Sequence, residues 1–171
     1  MRVPMIARWP GRIAAGVTCR ELATTMDILP TFCSLTETRL PSRKLDGFDI
    51  SALLLGTEGA KSQYKALYYY RRRQLQAIRT GDWKYHLPLK ATHPNWASPE
   101  KPGPGRSGKL VNLKSDLQET TDVSAANPDV LRRMAELMRE AVETLGNDDL
   151  QGSEQRDAST LSSSLPLTLK K

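Results

Sequence analysis

Ala77-Ile78-Arg79-Thr80-Gly81-Asp82-Trp83-Lys84-Tyr85 is the stretch on which the fold turns. Two short segments flank Gly81-Asp82, a pair suited to a two-residue turn because glycine reaches positive φ without steric cost. The stretch therefore reads as an antiparallel hairpin, with Gln74 to Arg79 as one strand and Trp83 to Leu87 as the next. Working outward, Ala66 to Tyr70 is a strand before the hairpin, and Lys109 to Leu113 is a fourth candidate after it. Between them, residues 88–108 are rich in Pro and Gly among polar residues and read as one long loop.

Further along, residues 128–145 carry the clearest helical period. Val130, Met134, Leu137, Ala141 and Leu145 recur at three- and four-residue spacing, and Leu131, Met138 and Val142 widen the stripe. Asn127 stands at the N-cap, Pro128 at the first helical position and Gly146 at the stop. A stripe of this width, rich in methionine, predicts packing against the sheet. Residues 147–171 are Ser- and Asp-rich and read as a disordered tail.

Toward the N-terminus, Val3 to Trp9 is an apolar run that predicts a buried strand, closed by a turn at Trp9-Pro10-Gly11. Thr18 and Glu21 have capping-box spacing, but a helix begun there would hold Pro30 deep inside, at a cost of about 3 kcal/mol. Starting the helix at Asp27 places Pro30 in the first turn, where its missing N–H matters least. The pattern thus predicts a short strand over Leu22–Met26 and a helix over about 28–36. Leu40 to Gly47 is a loop, and Ile50 to Leu55 is a short apolar segment ended by Gly56.

The chain has 171 residues, 39% hydrophobic and 26% charged, enough to build a packed core. No stretch approaches the ~18–20 apolar residues of a membrane span. The first eleven residues lack the apolar centre of a secretory signal, because Arg8 and Pro10 interrupt it. Two cysteines and two histidines exclude a disulfide scaffold, a Cys-ligated structural zinc and a three-His metal centre. The net charge of +6 is uneven: residues 60–110 hold eleven Lys and Arg against Asp82 and Glu100, so that segment is +9 and the remainder −3. Such a field favours an anionic partner, or else is a solvated basic face.

Chemistry-bearing patterns are few. Cys19 and Cys33 have no histidine or basic cluster nearby in sequence and read as buried structural thiols. His86 and His93 have no carboxylate between them to complete a metal site. Asp46 and Asp49 flank Gly47 without a third carboxylate at calcium-loop spacing. Tyr68-Tyr69-Tyr70-Arg71-Arg72-Arg73 mixes rings and cations, but only alternate tyrosines of a strand share a face, and nucleic acid is disfavoured as a partner.

Five ordered stretches resemble the sulfatases. Residues 1–13 are similar to the strand that follows the Glu-Gly-Gly of that family's arginine/proline motif. Met26-Asp27-Ile28-Leu29-Pro30-Thr31 resembles its Asp-x-x-Pro-Thr helix start. Leu45-Asp46-Gly47-Phe48-Asp49-Ile50, followed by Leu53-Leu54-Leu55-Gly56, resembles its D-G…L-L-x-G stretch. The hairpin at 77–85 is similar to x-R-x-G-x-W-K. Leu110-Val111-Asn112-Leu113 with Asp116, Glu119 and Thr120 resembles L-Y-D-L…D-P-x-E.

The resemblance implies an α+β chain. Residues 1–59 would be the end of an α/β sulfatase catalytic domain, residues 60–146 a small antiparallel sheet packed by a C-terminal helix, and 147–171 a tail. It implies sulfate-ester hydrolysis for the full-length family, with calcium and a formylglycine as cofactors, a sulfated small molecule or glycan as substrate, and export of full-length relatives to the periplasm or lysosome. Cys19 and Cys33 do not match the Cys/Ser-x-Pro/Ala-x-Arg motif, and the family's metal ligands and sulfate-binding lysine correspond to positions upstream of Met1. No catalytic or metal residue carries over, the chain alone is expected to be inactive, and Met1 reads as an internal start. Lys84, His86 and His93 are the substrate-binding candidates. The alternative is a non-catalytic module that binds sulfated glycans or other polyanions through residues 60–110.

Overall fold

The computed structural model of the chain describes residues 3–94 and 99–156. The chain divides into two compact units, the first ending at Leu67 and the second beginning at Tyr68.

The first unit is mostly irregular. A 3-10 turn, Thr25–Asp27, leads into α1 (Ile28–Leu35), and a single helical turn, α2 (Ser51–Leu54), packs against α1. Asp27 is fully buried, and its carboxylate accepts from Thr24 N at 2.6 Å, Phe48 N at 2.9 Å and Tyr64 Oη at 2.6 Å. Thr31 Oγ1 donates to the Asp27 carbonyl at 2.6 Å and accepts from Ile50 N at 3.0 Å. Three stretches of chain, at Thr24, Phe48–Ile50 and Tyr64, are thereby pinned to one helix start. The approach at Gly47 is so close that a Cβ there would stand 2.0 Å from the Met26 carbonyl oxygen. Phe48 and Tyr64 meet edge to face, with ring centroids 4.8 Å apart.

Three expectations for this unit are corrected. Leu22–Met26 is not a strand, because Thr24 caps the 3-10 turn instead: its Oγ1 accepts from Met26 N, and Asp27 answers from the other side. The carboxylate of Glu21, free of any helix, accepts from Ser62 N and Lys61 Nζ. Val3–Trp9 forms no strand among the described residues, and Val3, Met5 and Ile6 stand 72%, 58% and 94% exposed. The turn after it is present, with Arg12 N and Ile13 N both donating to the Trp9 carbonyl. Cys33 is buried as expected, whereas Cys19 sits in an open loop and is exposed.

The second unit is built on a four-stranded sheet. Its strands are β1 (Leu67–Arg71), β2 (Gln74–Thr80), β3 (Trp83–His86) and β6 (Lys109–Asn112), in the order β1-β2-β3-β6. The hairpin closes as read: Thr80 lies opposite Trp83, and Gly81 takes φ +54°. Helix α3 (Pro128–Leu145) packs on β2 and β3 and buries Met134, Leu137 and Ala141; Leu75, Ile78, Leu110 and Val111 of the sheet are buried as well. Pro128 opens it and Gly146 ends it at φ +85°.

The expected loop over 88–108 is in part a ribbon, β4 (Leu89–Thr92) against β5 (Gly103–Arg106). Alternate glycines make the ribbon possible: a Cβ on Gly105 would stand 2.3 Å from the Lys90 carbonyl oxygen, and one on Gly103 2.4 Å from Thr92 Oγ1. Arg106 ties the ribbon to the sheet by donating to the carbonyls of Leu87 and Gln76. The expected tail also begins ordered. Asn147 enters a short hairpin, β7 (Gly146–Asn147) with β8 (Leu150–Gln151), and Ser153 N and Glu154 N bond back to Glu143 and Thr144. The rest of that segment, 157–171, lies outside the described residues.

Two stability outcomes follow from this packing. Met134→Ala, at a side chain with no exposed surface, should lower the unfolding free energy of the second unit by about 2–5 kcal/mol in urea. Gly47→Ala should lower that of the first unit by ~1–3 kcal/mol, because backbone rather than a flexible side chain must yield.

Candidate functional site

Strand register assembles the only cluster of sequence-singled-out residues found among the described residues. In β3, Lys84 and His86 are two apart and share a face. In the antiparallel ladder His86 lies opposite Lys109, and Lys84 lies opposite Val111, which adds Lys109 to that face. Such a gathering of basic groups on a half-covered sheet needs an answering charge.

Glu119 supplies it. Its carboxylate accepts two hydrogen bonds from Lys84 Nζ, at 2.7 and 2.8 Å, and lies 2.5 Å from His86 Nε2. Lys109 Nζ donates to the Glu119 carbonyl at 2.6 Å. The Lys84 ammonium also sits 4.9 Å from the centroid of the Tyr69 ring on β1. The Lys84 side chain is only 6% exposed, against 20% for His86 and 22% for Glu119.

Local chain chemistry aims Glu119 at the sheet. The residue takes φ +58°, the left-handed region that a β-carbon disfavours. Asp116 stabilises this turn: its carboxylate accepts from Thr121 N at 2.8 Å and from Thr120 Oγ1, and its carbonyl accepts from Glu119 N. The loop is then sewn to β6, where Leu110 N donates to Asp122 Oδ1 and Val123 N to the Leu110 carbonyl.

The electrostatics follow the geometry. Burial pushes the Glu119 carboxyl upward, but the hydrogen bonds and charges of Lys84 and His86 outweigh it and hold the group below its usual value. Burial pushes His86 down, helped by the Lys84 and Arg106 charges and opposed by Glu119, so the ring sits below its ordinary value. At neutral pH the imidazole is therefore uncharged and donates its Nε2–H to the carboxylate, which Lys84 neutralises.

His93 does not join this cluster. It follows β4, and its Nε2 lies 2.6 Å from Asp148 Oδ1 in the turn between β7 and β8, while its backbone N donates to Gln74 Oε1. Several cations of the 60–110 segment are likewise engaged within the chain: Lys61 by Glu21, Lys84 by Glu119, Arg106 and Lys109 by backbone carbonyls. A separate pocket of about 280 Å³ lies by Tyr70, Arg72, Arg73 and Leu145. Among the described residues no three of His, Cys, Asp and Glu stand close enough to hold a metal ion, and no helix is long and apolar enough to cross a membrane. Sequence reading quoted Glu119 only within a motif; its partners Lys84 and His86 are 35 and 33 residues away, and no local pattern joins them.

Residues 1–87 match the family model for N-sulphoglucosamine sulphohydrolase, C-terminal. The chain belongs to the sulfatase family. Its hairpin and buried Asp27 both fall within the matched span. Human arylsulfatase A is 47% identical over 92 residues, covering 51% of this chain and 18% of that protein. Rat arylsulfatase G is 29% identical over 165 residues, covering 86% of this chain and 30% of the relative. Among solved structures, the PsFucS1 sulfatase from Pseudoalteromonas sp. superposes with a TM-score of 0.64 at 26% identity, over 80% of this chain and 28% of that one. The sulfatase chain described here thus spans less than a third of the length of these relatives. The α+β architecture expected from the sequence is that of a sulfatase C-terminal portion.

The Glu119 cluster sets a pH response. The folded values of both Glu119 and His86 are lowered, so each contributes stability above its unfolded value and loses it as pH falls through the folded one. Stability should therefore decline as pH drops below about 6.5, through His86, and again below about 4.3, through Glu119. Glu119→Gln should cost ~1.5–3 kcal/mol at pH 7, since Lys84 loses its counter-charge; in urea unfolding it should flatten the limb below about 4.3, while the limb below about 6.5 should persist and deepen, because the carboxylate no longer opposes the lowering of His86.

Proposed function

We propose that the protein to which these residues belong is a sulfuric ester hydrolase acting on a sulfated small molecule or glycan. The observation that carries this reading is the family match over residues 1–87. Relatives named as arylsulfatases support it. The reaction adds water to a sulfate monoester, giving the free hydroxyl, sulfate and a proton.

These residues do not themselves supply the reacting groups. Neither cysteine lies in a formylglycine motif, and the described residues gather no set of ligands for calcium. The residues present do not fit either group. Residues 1–59 are assigned to the end of the catalytic domain and 60–146 to the subdomain that follows it.

On the substrate side the reading assigns Lys84, His86 and His93. His86 and His93 keep part of each ring open to solvent, at 20% and 31% exposure, and can offer hydrogen bonds to a polar substrate. The Lys84 charge is already committed to Glu119, so its part is to hold that carboxylate against His86.

The purified chain, supplied with calcium, should show no turnover of an aryl sulfate. A chimera in which residues 1–87 replace the matching segment of human arylsulfatase A should hydrolyse the same ester, and His86→Ala in the chimera should raise KM more than it lowers kcat. A monodisperse chimera that leaves the ester intact would overturn the hydrolytic reading.

A further inference from the structure

The pocket of about 280 Å³ lies wholly within the second unit. One wall is the two-residue turn Arg72-Arg73 between β1 and β2, and the other is the end of α3 with the β7–β8 hairpin. Three bonds tie the walls together. Tyr70 Oη donates to the Gly146 carbonyl, Asp148 N to the Arg73 carbonyl and Leu75 N to Asn147 Oδ1, each at 2.8 Å. His93 holds the turn of the hairpin through Asp148 Oδ1.

These ties use acceptors and leave donors. The Gly146 and Arg73 carbonyls and Asn147 Oδ1 have partners, and Gln155 Oε1 accepts from Gly152 N. The side-chain N–H groups of Arg72, Arg73, Asn147 and Gln155 have no partner among the described residues. No Asp or Glu is among the described residues that line the space. A space faced by unmet donors, two of them guanidinium groups, suits a negatively charged acceptor. The backbone is held for this arrangement. Arg72 takes φ +55° in a turn where glycine or asparagine is the usual choice, and Asp148, at φ +47°, makes the bond to Arg73. Residues held in such conformations cluster at ligand sites. Leu145 and Leu150, 39% and 60% exposed, add an apolar wall, so the ligand presents an apolar face beside its charge. The volume sits at the lower edge of the ~300–1,000 Å³ usual for small-molecule sites, the size for one ring and not a chain of them.

We propose that this pocket binds one oxyanion group, a sulfate ester or a carboxylate, borne on a body the size of a single sugar ring. Arg72 and Arg73 take the oxyanion, the Asn147 and Gln155 amides donate to it or to hydroxyls beside it, and the two leucines receive the C–H face of the ring. The inference does not rest on the hydrolytic reading: it concerns binding alone, and neither arginine belongs to the Glu119 cluster.

The test titrates the full chain calorimetrically at low salt with glucose-6-sulfate, glucuronate and glucose. At least one of the two anionic sugars should fill a single site about tenfold more tightly than glucose, and the tighter of them identifies the oxyanion. Arg72→Gly should weaken that binding by about tenfold, while the unligated variant keeps or raises its urea midpoint, because glycine suits a positive φ. Lys90→Gln, which removes a charge from an exposed position on β4, should leave the affinity within about twofold. Four results would overturn the inference: no binding, equal affinity for glucose and the anionic sugars, equal losses in the Arg72 and Lys90 variants, or a lower midpoint in Arg72→Gly. The third would mean a diffuse basic surface, and the last an arginine that serves the fold. Turnover is not part of the readout, so a protein that hydrolyses no sulfate ester would leave this site standing.

Discussion

A carboxylate removed from water must be met by donors, and this constraint organises both units of the chain. In the first unit the carboxylate is Asp27. Thr24, Phe48 and Tyr64 come to it from separate segments, and Thr31 reads the carbonyl of the same residue. The buried residues around it include Thr31 and Ile50, so directional bonds define this unit where apolar bulk is scarce. In the second unit the carboxylate is Glu119, met by Lys84 and His86 of β3, while Lys109 of the neighbouring β6 donates to the carbonyl of the same residue.

The two arrangements differ in what surrounds them. The Glu119 cluster is accompanied by a conventional core, with α3 lying on β2 and β3 and Met134, Leu75 and Ile78 almost wholly buried. That core fixes β3, and β3 fixes the spacing of Lys84 and His86. Glu119 can then be held in a left-handed backbone because Asp116 and Lys109 bind its turn from both ends. Strain at one residue is thus balanced by bonds made by its neighbours.

Legibility in the sequence followed the range of the interactions. The hairpin at Gly81-Asp82 and the helix Pro128–Leu145 depend on residues close in sequence, and their ends were readable from glycine, proline and apolar spacing. The ribbon β4–β5 was hidden by the same Pro and Gly content that marks loops, because its glycines serve close approach of two backbones. The Leu22–Met26 alternation was outweighed by a cap three residues long. Val3–Trp9 has strand composition without a strand's neighbours. Lys84 stands in the hairpin motif and His86 just beyond it, yet their shared carboxylate shows only in the sheet register.

The Asp27 network also gives the first unit its own optical signature. Burial, and then the hydrogen bond to Asp27, push the Tyr64 phenol up to about 12. Its hydroxyl is held between that carboxylate and Thr24 Oγ1. In an alkaline titration this ring would stay colourless in the near ultraviolet after an ordinary tyrosine had ionised, and would develop phenolate absorbance early once its surroundings opened. The chromophore that reports on the integrity of this unit is therefore built into the Asp27 network itself, and needs no external label.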